Sequence, residues 1–379
     1  MPSKTKKAFL VSLLLLVVFS FSGCLGLTDS GSGGTAAERN DSQGVFKTSD
    51  GGKTWEHKVA IEGQTDLMLD QIKTGSIAID PENTQILYLG TLGDGMYKTE
   101  NGANSWHKVN DQSNKLRGTS SVYDIEVEKG NSSIVYAATL NDNRGVLAKS
   151  EDGGKSWSES YISTELGKPI NRVQIDPKQK NIVYIGTEQG GFLKSTDRGH
   201  NWSKVKWFKE GVKDFVVDYT NDKGIVVLTH KGLYKTTDGG VDEEKSWQDL
   251  TKTLSNLAKN GQITIENITS ITIDNQNPLV LYMTYNNLIF VTRDGGVTWD
   301  TLDTITPTLT SSKTIPVIKK IGLMNSTIYY GAGNALYRSD NKGTSWSSFD
   351  IPIKGDVKYT VSDPKDSNVI YVGALYEKK

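Results

Sequence analysis

One eight-residue pattern returns seven times between residues 48 and 346, and it constrains the fold of this chain more than any other feature. It reads Ser/Thr-x-Asp-x-Gly-x-Thr/Ser-Trp, and its first copy is Thr48-Ser49-Asp50-Gly51-Gly52-Lys53-Thr54-Trp55. The later copies begin at Thr99, Ser150, Ser195, Thr236, Thr292 and Ser339. Self-similarity at a period of about 20–50 residues is the mark of a repeat architecture, in which each unit is one supersecondary element.

Each copy holds the parts of a tight turn between two strands. The acid or amide position is Asp50, Asn101, Asp152, Asp197, Asp238, Asp294 and Asn341. Such side chains accept hydrogen bonds from backbone N–H groups further along a turn. The glycines supply positive φ without steric cost. Trp55, Trp106, Trp157, Trp202, Trp247, Trp299 and Trp346 close the copies, and Trp is never replaced. The acids, in contrast, drift to Asn twice, and the fifth copy is interrupted by Asp242-Glu243-Glu244. A catalytic acid is not needed seven times, whereas a clasp is needed once per repeat. Packing, not chemistry, is therefore the constraint these residues answer to.

A constant frame surrounds the turns. Upstream of most lies a β-branched and aromatic run, such as Ile86-Leu87-Tyr88-Leu89-Gly90-Thr91 or Ile182-Val183-Tyr184-Ile185-Gly186-Thr187. Short apolar runs of β-formers bounded by Gly and Asn read as buried strands. A further strand precedes each run, often ending near Asp-Pro, a third leads into the turn, and a fourth leaves from its Trp. Four antiparallel strands per period of about 48 residues describe a propeller blade. The folded part opens at Val45 with strands three and four of one blade and ends, over residues 358–375, with strands one and two. The expected fold is all-β: a seven-bladed β-propeller over residues 44–379, closed by a composite blade from the two ends of the chain. Closure of this kind removes open sheet edges.

The turn motif, the Asp-Pro strand ends and the Gly-Met-Tyr-Lys-Thr run of residues 95–99 resemble the Asp-box (BNR) repeats of xyloglucanase-type glycoside hydrolases, sortilin-type receptors and photosystem II assembly factors. The resemblance covers essentially everything after residue 44. It implies a propeller, and either glycan hydrolysis or the holding of a protein partner. Sialidases share the turn, but their Arg-Ile-Pro motif is absent and they have six blades. Xyloglucanase-type enzymes place their acids between two propellers, and one is encoded here. The assembly-factor branch is implied to bind its client through an arginine-rich patch, whereas this chain has seven Arg, spread from Arg39 to Arg338.

Residues 1–24 read as a leader. Lys4, Lys6 and Lys7 precede an apolar stretch, residues 8–21, too short for a span of about 20 residues. Ser22-Gly23-Cys24 then looks like the lipobox of a prokaryotic lipoprotein, with Cys24, the sole cysteine, as the lipid attachment point. Residues 25–43 are Gly, Ser, Thr, Asp and Asn with little to bury, and read as a flexible tether. The expected location is the outer face of a prokaryotic membrane, at the cell surface or in the periplasm. Net charge is −1, which gives no electrostatic case for nucleic acid as a partner.

Chemistry is sparse. The four His are scattered, no phosphate loop occurs, and Asn141 to Gly145 lacks the spacing of a calcium loop, so neither metal nor cofactor is expected. The mouth of the central channel is the expected ligand site. Alignment of the seven inner strands puts Ser76, Asp124, Arg172, Asp214, Ser270, Lys320 and Lys358 at one equivalent mouth position. These residues read either as a polar ligand pocket or as rim charges that pair with one another. Asp124 and Asp214 could in principle form an acid/base pair, but they sit two blades apart and nothing else in the sequence supports them, so no catalytic residue is expected. Trp207 and Phe208, beside lysines and outside every copy of the motif, are candidates for contact with a protein or glycan. The functional expectation is a non-catalytic, monomeric binding or scaffold protein for a membrane-associated partner, with carbohydrate binding or hydrolysis as the alternative.

Overall fold

The computed structural model describes residues 43–379 except 221–222, 258–262, 304–320, 325 and 376–379, all within the compact unit Glu38–Lys379. Cys24, expected to carry a lipid, and the expected leader and tether up to residue 42 lie outside the described residues, as does Lys320.

Seven four-stranded antiparallel sheets succeed one another along the chain. The first is Thr74–Ile79, Leu87–Thr91, Met96–Thr99 and His107–Lys108, and five more follow in sequence order. The seventh joins the two ends: Asp356–Asp363 and Asp366–Leu375 pair with Gly44–Thr48 and Glu56–His57. The inner strand of each sheet packs on the inner strand of the next, and the seventh returns to the first. The fold is a seven-bladed β-propeller with a composite blade. Outside the blades, Thr251–Leu257 forms a 3₁₀ helix, with Leu254 buried.

The core is divided in the same way. Seven apolar clusters each span two adjacent blades. Each motif Trp joins the cluster shared with the preceding blade: Trp157 packs with Tyr88 and Met96 of the first blade, and Trp106 with Val45, Ile61 and Tyr371 of the composite blade. That is why Trp survives every drift of the motif. Its indole N–H finds a carbonyl in three copies, for instance Lys58 for Trp106 and Ser160 for Trp202.

The turns are clasps in atomic detail. Thr48 Oγ1 accepts from the Gly52 N–H at 2.9 Å and donates to Asp50 Oδ1 at 2.8 Å. Asp50 in turn accepts from the N–H and hydroxyl of Thr54 at 2.9 and 2.6 Å. Asn101 and Asn341 keep the geometry with the amide, which donates to Ser105 and Ser345. In the interrupted copy Ser246 reaches back over the insertion to Asp238 at 2.7 Å. The fourth turn position has positive φ, normally on glycine: Gly153 has φ +73°. Where a basic residue stands there instead, it is tied to a buried acid of the preceding blade. Arg198 (φ +58°) meets Glu128 at 3.1 Å, and Lys342 (φ +55°) meets Asp274 at 2.9 Å. These ion pairs offset backbone strain of about 1–2 kcal/mol.

The clasp bonds hold the turn acids below the usual carboxylate range. Hydrogen bonds from the Thr54 side chain lower Asp50 to about 2, and those from Thr298 do the same for Asp294. A folded pKa below the unfolded value of about 3.9 gives stability that is present above pH 4 and lost as pH falls toward 2. Denaturant midpoints of the wild type should therefore drop between pH 4 and pH 2, and Asp50→Asn should flatten that drop; an unchanged pH slope would contradict the assignment. Trp106→Ala, which empties a fully buried site at the junction of the composite and first blades, should destabilise by about 3–5 kcal/mol in the same assay.

Candidate functional site

The inner strands of the blades converge on a central cavity of about 800 Å³, lined by residues of all seven. Six of the described inner strands carry a β-bulge at one end, where pairing skips a residue: Thr74 pairs with Thr91 and Ser76 with Gly90, leaving Gly75 out. The same step leaves out Tyr123, Asn171, Lys213 and Thr269. The residue after each bulge is the mouth position, and Ser76, Asp124, Arg172, Asp214 and Ser270 all occupy it. The composite blade corrects the sequence alignment by one residue. Its bulge falls on Lys358, so Tyr359, paired with Gly373, takes the mouth position and Lys358 joins the skipped residues. Both still line the cavity.

These side chains bind the ring together. Ser76 Oγ donates to the Val122 carbonyl of the next blade at 3.3 Å. Asp124 Oδ2 accepts the Val173 N–H at 3.1 Å, and Asp214 Oδ2 the Ile271 N–H at 3.1 Å, again one blade further on. Between the two acids stands Arg172. Its Nη1 lies 2.6 Å from Asp124 Oδ2, and its Nε 3.2 Å from Asp214 Oδ1. Burial alone would lower the pKa of this guanidinium, but the carboxylates of Asp124 and Asp214 outweigh it and hold the pKa above the ordinary arginine range. One cation thus serves both Asp124 and Asp214. Each carboxylate also accepts a backbone N–H of the following blade.

The skipped residues form a second tier that sequence alignment passed over. Asn171 Nδ2 bonds the Val212 carbonyl and Glu188 Oε2, at 2.9 and 2.7 Å. Glu188 lies 3.1 Å from His230 Nε2. Lys213 donates to the carbonyls of Glu266 and Ile268 in the next blade. Tyr123 turns an exposed ring to the cavity. The signal was their position, one residue before each mouth residue.

The two aromatic candidates separate. Trp207, the last residue of Ser203–Trp207, is 43% exposed. Phe208 corrects the expectation: it is buried, with its ring against Tyr234 and Trp247 at 4.8 and 5.6 Å between centroids. The chain turns inward directly after the strand, so only Trp207 is available to a partner. Among the described residues no group of three or more His, Cys, Asp or Glu is placed to hold a metal. Asp142 and Asn143, both at positive φ, form a two-residue hairpin turn.

Replacing Arg172 by Met should leave two largely buried carboxylates uncompensated and cost about 3 kcal/mol at neutral pH. The loss should shrink in the triple variant Asp124→Asn, Arg172→Met, Asp214→Asn, measured by urea unfolding. Equal losses in the two variants would show that Arg172 acts by packing alone.

No family model matches the chain. Over 188 residues, 45% of its length, it is 26% identical to a probable oligoxyloglucan-reducing end-specific xyloglucanase of Neosartorya fischeri, of which it spans 23%. Over 160 residues, 33% of its length, it is 29% identical to a xyloglucanase of Acetivibrio thermocellus, of which it spans 19%. The chain thus spans less than about a quarter of the length of these curated relatives. Among solved structures, the GH74 xyloglucanase of Xanthomonas campestris superposes on 80% of the chain with a TM-score of 0.61 and 16% identity, and 51% of that enzyme is covered. YCF48 from Cyanidioschyzon merolae superposes on 80% of the chain with a TM-score of 0.57 and 14% identity, with 96% of it covered. YCF48 is also known bound to D1 peptide, again with a TM-score of 0.57, at 12% identity and with 80% of this chain and 94% of that one covered. At these identities the structural likeness establishes the propeller and leaves its activity to be argued from the site.

Proposed function

We propose that this chain is a non-catalytic binding propeller, anchored by a lipid on Cys24 at the outer face of a prokaryotic membrane, that holds a membrane-associated protein partner at its channel mouth. The observation that carries this reading is the Arg172 clamp. A glycoside hydrolase needs one carboxyl group that can hold a proton and another that stays charged. Asp124 and Asp214 instead share a guanidinium and each accept a backbone N–H, so the two have matching partners, and those partners tie neighbouring blades together. What remains for a ligand is a large polar cavity with Tyr123, Lys358 and Asn171 on its wall. The likeness to a propeller of similar size that binds a peptide supports this direction.

Glycan binding is the second reading. It is favoured by the local identity to xyloglucanases and by the exposed rings of Tyr123 and Trp207, since exposed aromatic rings suit stacking on sugars.

Affinity capture from detergent-solubilised membranes, with the full chain beside a form lacking residues 1–41, separates the readings. Capture of a stoichiometric protein by both, weakened at least tenfold by Tyr123→Ala or Lys358→Glu, is the expected result. Retention on xyloglucan with no protein captured would move the assignment to the glycan, and release of reducing ends would overturn the non-catalytic reading. Cys24→Ala should abolish metabolic labelling by palmitate; persistent labelling would refute the anchor.

A further inference from the structure

The joints between blades are built on a tyrosine from the second strand of one blade and the turn of the next. Tyr88 donates to the Gly153 carbonyl at 2.9 Å, Tyr136 to the Arg198 carbonyl at 2.9 Å, and Tyr371 to the Gly102 carbonyl at 3.5 Å. The three acceptors occupy the same turn position. A lysine of the third strand lies over the ring in several blades: Lys47 over Tyr371, Lys98 over Tyr88 and Lys194 over Tyr184, at 5.3, 5.7 and 5.4 Å from the centroids. Ring, hydroxyl bond and ammonium come together at Tyr88 and Tyr371.

The fourth blade lacks the ring. Strand Ile225–Thr229 carries Val226 where Tyr is usual. A cavity of about 120 Å³ opens beside it, bounded by Val216, Val226, Ile273 and Leu279, with Lys235 and Asp218 at its polar side. Lys235 Nζ donates at 2.7 Å to the Gly295 carbonyl, the turn position that accepts a tyrosine hydroxyl elsewhere; Lys47 makes the same bond to Gly102 at 3.4 Å, beside Tyr371. Leu279 is half exposed, so the cavity has an opening to solvent. A closed apolar cavity of about 150 Å³ holds benzene, so a ring seated here fills this smaller cavity and extends into its opening past Leu279.

We propose that the cleft between the fourth and fifth blades is a binding site for a phenolic ring. The ring enters past Leu279 and lies against Val226 and Ile273. Its hydroxyl donates to the Gly295 carbonyl, and Lys235, released, takes the place over the ring face that its counterparts hold in other blades. The ring can arrive as a free small phenol or as the tyrosine side chain of a partner segment, and both would be read by the same groups.

Thermal unfolding of the full chain tests this with p-cresol as the probe. At ten times its dissociation constant, p-cresol should raise the Tm by about 2 °C. Toluene, which cannot donate to Gly295, should do less at the same concentration. Val226→Tyr should raise the Tm without ligand and abolish the response. Leu279→Trp, a change at an exposed position, blocks the opening and should abolish the response even if the tyrosine variant folds poorly. The tripeptide Gly-Tyr-Gly separates the sources: a shift like that of p-cresol points to a partner's tyrosine, and no shift points to a small phenol. A p-cresol response that is absent in the wild type, equal in Leu279→Trp, or matched by toluene overturns the proposal.

Discussion

Five backbone pairs, from Gly44↔Ala374 to Thr48↔Ile370, hold this ring shut. Without them the sixth and first blades would each face water across an apolar surface, and two sheet edges would stand open to other chains. With them, Val45 and Phe46 complete the clusters on either side of the composite blade. The pairing also brings the first inner strand against the last, so that residues more than 250 positions apart, such as Ser76 and Tyr359, line one cavity. Closure is therefore a condition for any site at the channel, as well as a source of stability.

Closure also decides how the channel charges are used. Around the mouth, a side chain of one blade repeatedly bonds the backbone of the next, by hydroxyl, carboxylate, amide or ammonium. Arg172 meets Asp124 of the blade before it and Asp214 of the blade after it, and Asp214 in turn accepts the Ile271 N–H of the fifth blade. A charge pair in water would be worth little there. Screened from solvent, and with each carboxylate also accepting an N–H, the trio holds blades two to four in a fixed relation. The same bonds tie both carboxylates to the neighbouring blades, so the channel acids are built into the closure of the ring.

The fold was legible in the sequence because its determinants are local. Turn acid, turn glycine and Trp lie within eight residues, and the strand runs flank them, so blade number and composite closure could be read from spacing. The site was less legible because it depends on bulges and on convergence across blades. The alignment placed Lys358 at the mouth since nothing in Val357-Lys358-Tyr359 marks the skipped residue; pairing with Gly373 settles it. The Arg172 clamp joins three strands that meet only in the closed ring. Phe208 was misjudged with Trp207 because they adjoin in sequence, while the strand ends between them and turns its next ring into the core.

A repeat protein makes its departures informative, since every blade supplies a control for the others. Arg198 and Lys342 replace a turn glycine, and each is met by a buried acid in the preceding blade, so the departure is compensated within the joint. Asn101 and Asn341 replace an acid and keep its bonds through the amide. Val226 is different. Its loss of a ring is answered by Lys235 at the polar end only, and the apolar volume stays open. Close packing makes an unfilled cavity costly, at about 24 cal/mol per Å³ in cores that cannot relax. The fourth joint instead keeps a lined opening with a charged residue at its side. The fourth joint thus differs in kind from the other drifts of the repeat.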